Sequence, residues 1–215
     1  SAAQIENAQM TEFMRKVENQ FGLAFAGDYH AFYDWSVTHK TDFWSLLWDE
    51  FQVIGTKGTT VLEQGERMPG AQWFPQAQLN FAENLLRFRD DLPALVFTNE
   101  HGQRREITYA ELYRETAQLA ASLKAVGVSA GDRVAGMLPT CIETIIAMLA
   151  TTSLGAVWSS CSPDFGVQGV LDRFGQVEPK VLFTVDGYFY NGKTLDVSSK
   201  VHDILADLPS VETHI

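Results

Sequence analysis

The rhythm of apolar and polar positions changes along this chain near residue 93. Upstream, large rings recur at helical spacing. Phe13, Val17 and Phe21 share one face of a first helix, and Phe32, Tyr33 and Trp35 crowd a second. Phe43, Trp44, Leu47, Trp48 and Phe51 form a broad stripe on a third, which Thr41 is placed to cap. Rings this dense on short helices read as anchors against another body. The Gly-, Thr- and Glu-rich segment 55–70 predicts a connecting loop. Trp73 and Phe74 precede Pro75, which pushes this stretch towards an extended conformation. Asn80 stands three residues before Glu83, the pattern of a capping box, and opens a helix carrying Leu85 and Leu86.

Downstream the pattern alternates. Leu95, Val96 and Phe97 predict a strand that pairs with 105–107 across the turn 99–102. Thr108 with Glu111 predicts a second capping box, opening a helix with Leu112, Thr116, Leu119, Leu123 and Val126 on one face and Gly127 at its end. A buried strand over 134–138 is closed by Pro139, and Thr140 with Glu143 predicts a third capping box. The helix over 142–149 is apolar all round, as for a helix packed between layers. Strands over 156–158 and 181–185 alternate with helices through Val170 and Phe174 and over 197–205. This is the pattern of an α/β fold: an aromatic-rich helical N-terminal region with its linker, 1–92, then the first part of a parallel sheet with helices on both faces, 93–215. Ligands on such sheets sit at the carboxyl ends of the strands, so the loops 139–140, 159–164 and 186–194 are the places for chemistry.

Composition narrows the partners. With 215 residues and 46% apolar content the chain can bury a sizeable core. A net charge of −11 argues against nucleic acid and anionic membranes as main partners. Cys141 and Cys161 lie in apolar segments, which reads as two free thiols in a reducing compartment. Neither a secretory leader nor an apolar membrane span is visible, so a soluble, cytoplasmic protein is expected.

Candidate chemistry is sparse. Residues 187–194, Gly-Tyr-Phe-Tyr-Asn-Gly-Lys-Thr, satisfy the phosphate-loop pattern G-x-x-x-x-G-K-[ST] and would make the chain an NTPase-like protein. Bulky rings at the interior positions fit poorly where backbone N–H groups must wrap a phosphate, and no later strand ends in an Asp able to hold magnesium. A surface turn with a solvated Lys193 is the simpler reading. At Trp158, Ser159 and Ser160 a ring and two hydroxyls can meet a ligand; equally, Trp158 is core and the serines end a strand. The cysteines have no His or second Cys at ligand spacing, and the five histidines fall on polar segments that predict solvated rings, so no metal site is expected.

Three stretches carry a resemblance: WFPQAQLNFAENLL (73–86), LPTCIETIIAMLATTSLGAVWSSCSPDFG (138–166) and RFGQVEPKVLF (173–183). Together they resemble the acetyl-CoA and acetoacetyl-CoA synthetase branch of the adenylate-forming enzymes. The form WSSCSPDFG points towards the acetoacetyl-CoA synthetases within it. Gln76 stands for a usual Gly, and Thr140 for a usual Asn. The resemblance implies a coenzyme A wall built by Trp158, Ser159, Ser160, Tyr190 and Lys193, with Tyr190 where a second arginine is expected. It implies ATP, coenzyme A and Mg2+ in the full-length enzyme, and acetoacetate as the acid joined to coenzyme A. It also implies that this chain is the incomplete N-terminal domain of a longer ligase, inactive alone and holding no catalytic residue. Two other readings stay open: a synthetase for acetate, propionate or another short acid, and a non-catalytic oligomerising module. A parallel sheet cut part-way would expose an edge, from which a homodimer or aggregation is expected.

Overall fold

In the computed structural model, which describes Ser1–Ile215, the rings of the first region close largely on one another. The chain divides into two units, Ser1–Gln78 and Leu79–Ile215. The first begins with helices α1 (Ala2–Glu6), α2 (Gln9–Phe21), α3 (Tyr29–Thr38) and α4 (Lys40–Glu50). Met14, Val17, Phe25, Phe32, Trp35 and Leu46 form its core, edged by Phe13, Phe21 and Phe43. Phe32 meets Phe13 and Phe25 nearly edge-on, at ring-centroid distances of 6.0 and 5.5 Å, the arrangement the ring quadrupole favours. Asp28 caps α3 by accepting from the backbone N–H groups of His30 and Ala31. Thr41 does not cap α4. His39 both ends α3 and precedes α4, so the second helix has already started at Lys40 and Thr41 sits inside its first turn.

The expected loop 55–70 carries pieces of strand. β1 (Gly55–Thr56), β2 (Leu62–Glu63), β3 (Gln72–Trp73) and β4 (Gln78–Leu79) are each two residues long, and β2 pairs antiparallel with β3, Leu62 opposite Trp73. Gln76 takes part in this lattice through its side-chain oxygen, which accepts from the backbone N–H groups of Thr59 and Thr60, both at 3.0 Å. Trp73 is extended, but Phe74 is left-handed at φ +44°, against the extended preference that Pro75 imposes. Its backbone closes a turn, donating to Val61 and accepting from Ala77, and its ring docks on Trp48 at 5.0 Å. These contacts outweigh a local preference of about 1–2 kcal/mol.

The second unit opens with α5 (Phe81–Leu85), the hairpin β5 (Pro93–Thr98) and β6 (Arg104–Thr108), and α6 (Tyr109–Ala125). β7 (Arg133–Met137), α7 (Ile142–Ser153), β8 (Val157–Cys161), α8 (Val167–Val177) and β9 (Val181–Phe183) follow. The hairpin β10 (Gly187–Tyr190) and β11 (Lys193–Asp196), then α9 (Ser198–Ala206) and β12 (Thr213–His214), complete it. The main sheet is parallel, in the order β12-β9-β7-β8. Both faces are covered. Val134, Val181 and Phe183 pack with Leu123, Ala147 and Ala150 of α6 and α7, while Ala135, Met137 and Leu182 pack with Val170, Phe174, Val201 and Ile204 of α8 and α9. None of the helices is long and apolar enough to cross a membrane.

Residues 79–92, expected with the first region, belong to the second unit. Asn80 caps α5 by accepting from Glu83 N–H, while its side-chain amide donates to the carbonyls of Thr152 and Ser153 at the end of α7. Ala82 and Leu86 are buried against Ile142, Ile146 and Leu149. The capping box at Thr108 and Glu111 is complete. The one expected at Thr140 and Glu143 does not form. Cys141 occupies the N-cap position of α7 without a side-chain cap bond, Thr144 Oγ1 donates to the Pro139 carbonyl, and Arg105 takes the Glu143 carboxylate at 2.6 Å.

Candidate functional site

In this strand order the chain leaves β7 towards one edge, by α7 and β8, and leaves β9 towards the other, by α9 and β12. The carboxyl ends of β7 and β9 therefore flank the switch point, where open α/β sheets leave a crevice. Pro139 and Thr140 leave β7 there, Asp186 leaves β9, and the β10–β11 hairpin stands beside them. With the β5–β6 turn they line a cleft of about 720 Å3, to which Glu100, Arg105, Asp186, Tyr188, Thr194 and Asp196 contribute polar groups. Its one guanidinium, Arg105, is ion-paired with Glu143, which holds it charged even more firmly than usual. Asp196 accepts from the backbone N–H of Ser198 at 2.8 Å, and this bond, with the Ser198 hydroxyl nearby, holds its carboxyl below the ordinary range. A second groove of about 360 Å3 lies between β8 and α7. Trp158 and Ser160 line it together with Thr140, Cys141, Thr144 and Met148. Pro139 and Thr140 border both cavities.

The segment 187–194 is not a phosphate loop. It is an antiparallel hairpin in which Gly187 opposes Asp196 and Tyr190 opposes Lys193, turning at Asn191 and Gly192, both left-handed at φ +52° and +72°. Asn-Gly is the strongest short hairpin signal, and here it overrides the pattern of glycines and lysine. A Cβ on Gly187 would stand 2.8 Å from the Leu195 carbonyl, so backbone rather than an anion fills the space beside it. The helix that follows starts at Ser198, too late to offer its N-terminus to a phosphate held by Lys193.

The five expected site residues fall on two elements. β8 runs on to Cys161, so Ser159 and Ser160 lie in the strand and the loop begins at Ser162. Strand alternation puts Trp158 and Ser160 on the α7 side and Ser159 on the other, beside Ala135. The Trp158 ring lies over Gly136 and packs 6.1 Å from the Phe183 ring. It is thus committed in part to the core and offers the groove only its remaining surface. Tyr190 and Lys193 are exposed and directly opposed on either side of the hairpin turn.

Residues that the sequence did not single out tie these elements together. The Tyr188 hydroxyl donates to Asp164, in the loop that leaves β8. That bond pushes the Tyr188 phenol up to about 12 and, with the Ser162 hydroxyl, holds Asp164 below its usual range. Gly192 N–H donates to the Glu100 carboxylate at 2.9 Å, and His101 meets the Phe189 ring edge-on at 4.4 Å. Two histidines expected to be solvated have partners elsewhere: His39 stacks on Trp35, and His214 shares a hydrogen bond with Thr184. Both cysteines are free thiols; Cys161 is buried, which pushes its thiol up, whereas Cys141 is half-buried at the groove.

The cofactors that the resemblance implies meet different fates against these groups. Nowhere are three or more His, Cys, Asp or Glu side chains gathered to hold a metal ion. The hairpin does not wrap the phosphates of ATP. For coenzyme A the groups are suitable: an exposed ammonium at Lys193, a phenol opposite it, and a groove with an aromatic floor and a hydroxyl.

A parallel sheet with its working loops gathered at one carboxyl edge defines an α/β domain of the nucleotide- and cofactor-handling kind. The chain belongs to the AMP-binding enzyme family, whose model matches residues 81–215; the model described as acetyl-coenzyme A synthetase N-terminus matches residues 29–85. It is 50% identical over 204 residues to acetoacetyl-coenzyme A synthetase of Rhizobium meliloti (strain 1021), a match covering 95% of this chain and 31% of that protein. Acetoacetyl-CoA synthetase of Xenopus tropicalis is 40% identical over 210 residues, again 95% of this chain and 31% of the relative. The solved structure of acetoacetyl-CoA synthetase from Streptomyces lividans matches at a TM-score of 0.94 with 44% identity, over 100% of this chain and 34% of that one. The chain spans about a third of the length of these relatives.

Proposed function

We propose that the full-length protein is an acid–thiol ligase that joins acetoacetate to coenzyme A. The acetoacetate carboxylate attacks the α-phosphate of ATP, forming acetoacetyl-adenylate and releasing pyrophosphate. The coenzyme A thiolate then attacks the acyl carbon of that mixed anhydride, and AMP leaves. The observation that carries this reading is the 50% identity to a relative named acetoacetyl-coenzyme A synthetase, over 204 residues that make up 95% of this chain.

In this reading the chain supplies no catalytic group. Its share is the helical region and one wall of the coenzyme A site. Lys193 meets a phosphate of coenzyme A as a point charge, with Tyr190 beside it to donate a hydrogen bond. Ser160 donates to an oxygen of the pantetheine arm, the exposed part of Trp158 forms a floor, and Ser159 supports the strand from its other face. ATP and magnesium are held by parts of the protein outside this chain.

The test is to assay the purified full-length protein for AMP release with ATP and coenzyme A, supplying acetoacetate, acetate or propionate in parallel. The expected result is a kcat/KM for acetoacetate at least tenfold above the other two. Preference for acetate or propionate would reassign the substrate, and no AMP with any acid would remove the ligase reading.

A further inference from the structure

The residues proposed to wall the coenzyme A site come from two separate elements, β8 and the β10–β11 hairpin. Some interaction must hold them in register. From the hydrogen-bond pattern we infer that Asp164 and Tyr188 are positioning residues, which fix the hairpin bearing Tyr190 and Lys193 against the outgoing end of β8. This rests on the reading of that hairpin as part of the coenzyme A wall.

Strand geometry carries the argument. Tyr188 and Tyr190 are two residues apart on β10 and so share a face; Leu195 and Lys193, directly opposite them on β11, share it too. Tyr188 is half-buried, and Leu195 is the residue across from it. On this same face the Tyr188 hydroxyl reaches Asp164. Asp164 is itself held on its other oxygen by the Ser162 hydroxyl at 2.7 Å, and Lys200 donates to the neighbouring Pro163 carbonyl at 2.7 Å. The loop is thus braced independently of the hairpin and can act as an anchor. On the opposite face Phe189 meets His101, and at the turn the Gly192 N–H donates to Glu100. The hairpin is gripped from two sides, and the Tyr188 grip is the one that spans to the β8 side of the site.

A phenol donating to an ionised carboxylate makes a charge-assisted bond of defined direction. Losing the hydroxyl leaves an exposed, hydrated Asp164 and a ring that still packs. The fold should therefore survive while the hairpin loses its fixed height above the end of β8. The expected consequence falls on coenzyme A alone, because Asp164 and Tyr188 are given no part in holding acetoacetate or ATP.

The experiment compares Tyr188→Phe, Asp164→Asn, the double variant and Lys193→Ala in the full-length protein. It measures KM for coenzyme A, pyrophosphate exchange with acetoacetate and ATP in the absence of coenzyme A, and Tm. The inference predicts a three- to tenfold rise in KM for coenzyme A in each single variant at Asp164 or Tyr188. The double variant should be no worse than the worse single, and exchange and Tm should be unchanged. Should Lys193→Ala raise that KM while Tyr188→Phe and Asp164→Asn leave it alone, the wall reading stands and the positioning role is overturned. Should none of them move it, the wall reading itself fails. A parallel fall in exchange and Tm would mark the pair as a stability element and also overturn the inference.

Discussion

The Trp158 ring lies across the backbone of Gly136, so closely that a Cβ there would stand 2.7 Å from its outermost carbon. The two residues sit on neighbouring strands, Gly136 opposite Ser160 and Trp158 opposite Val134, and the missing side chain makes the space the ring fills. Gly136→Ala should cost about 1–3 kcal/mol, as overpacking does in a rigid sheet. Denaturant unfolding measures this, and Trp158→Phe in the same background should recover part of it. Equal stability of Gly136→Ala and the parent would mean that the ring moves aside freely.

Asn80 does two jobs with one side chain: its oxygen caps α5 and its amide closes the end of α7. Asn80→Ala should lose about 1–2 kcal/mol for the cap alone, with a further loss of about 1 kcal/mol or more for the α7 carbonyls. Asn80→Asp keeps the cap and lacks the donors, so its stability should fall between the parent and Asn80→Ala. If Asp at 80 matched the parent, the bonds to Thr152 and Ser153 would contribute nothing.

Glu111 gives stability a pH dependence. The backbone N–H and hydroxyl of Thr108 hydrogen-bond its carboxylate and hold it below the ordinary carboxylate range. A carboxyl depressed in the folded state stabilises above its unfolded value and loses that contribution as pH falls through the folded one. The urea midpoint should therefore drop more steeply below about pH 4.5 in the parent than in Glu111→Gln, with the two curves parallel between pH 6 and 8. Identical curves throughout would show that the capping box carries no proton linkage.

The β10–β11 turn depends on left-handed backbone at Asn191 and Gly192. Gly192→Val places a β-branched residue where L side chains are strained, at about 1–2 kcal/mol. It should loosen the hairpin, read as faster amide exchange over 187–196, without changing exchange in α6 or β7. Unchanged protection in the hairpin would mean that the Glu100 and Asp164 contacts alone fix it.

Much of this fold is legible in the sequence because its signals are local. The α6 capping box, the β5–β6 hairpin and the β7–α7–β8 alternation follow from spacing and cap chemistry, and each stands where that chemistry predicts. The failures have a common origin in competition between neighbours. Arg105 takes the carboxylate that Thr140 would have shared, and His39 is both cap and linker, leaving Thr41 inside a helix. Phe74 follows its ring into contact with Trp48 instead of the preference imposed by Pro75. Around 187–194 two local patterns overlap, and the Asn-Gly turn prevails over the phosphate-loop spacing. The bond between Asp164 and Tyr188 joins residues far apart in the chain, and no sequence period records it.

In the proposed function the end of β8 and the β10–β11 hairpin together wall a coenzyme A site. Amide hydrogen exchange of the full-length protein, with and without saturating coenzyme A, tests it most directly. Bound coenzyme A should slow exchange over 158–164 and 187–196, with little change in α2 to α4. Protection confined to other segments, with both of these unaffected, would contradict it.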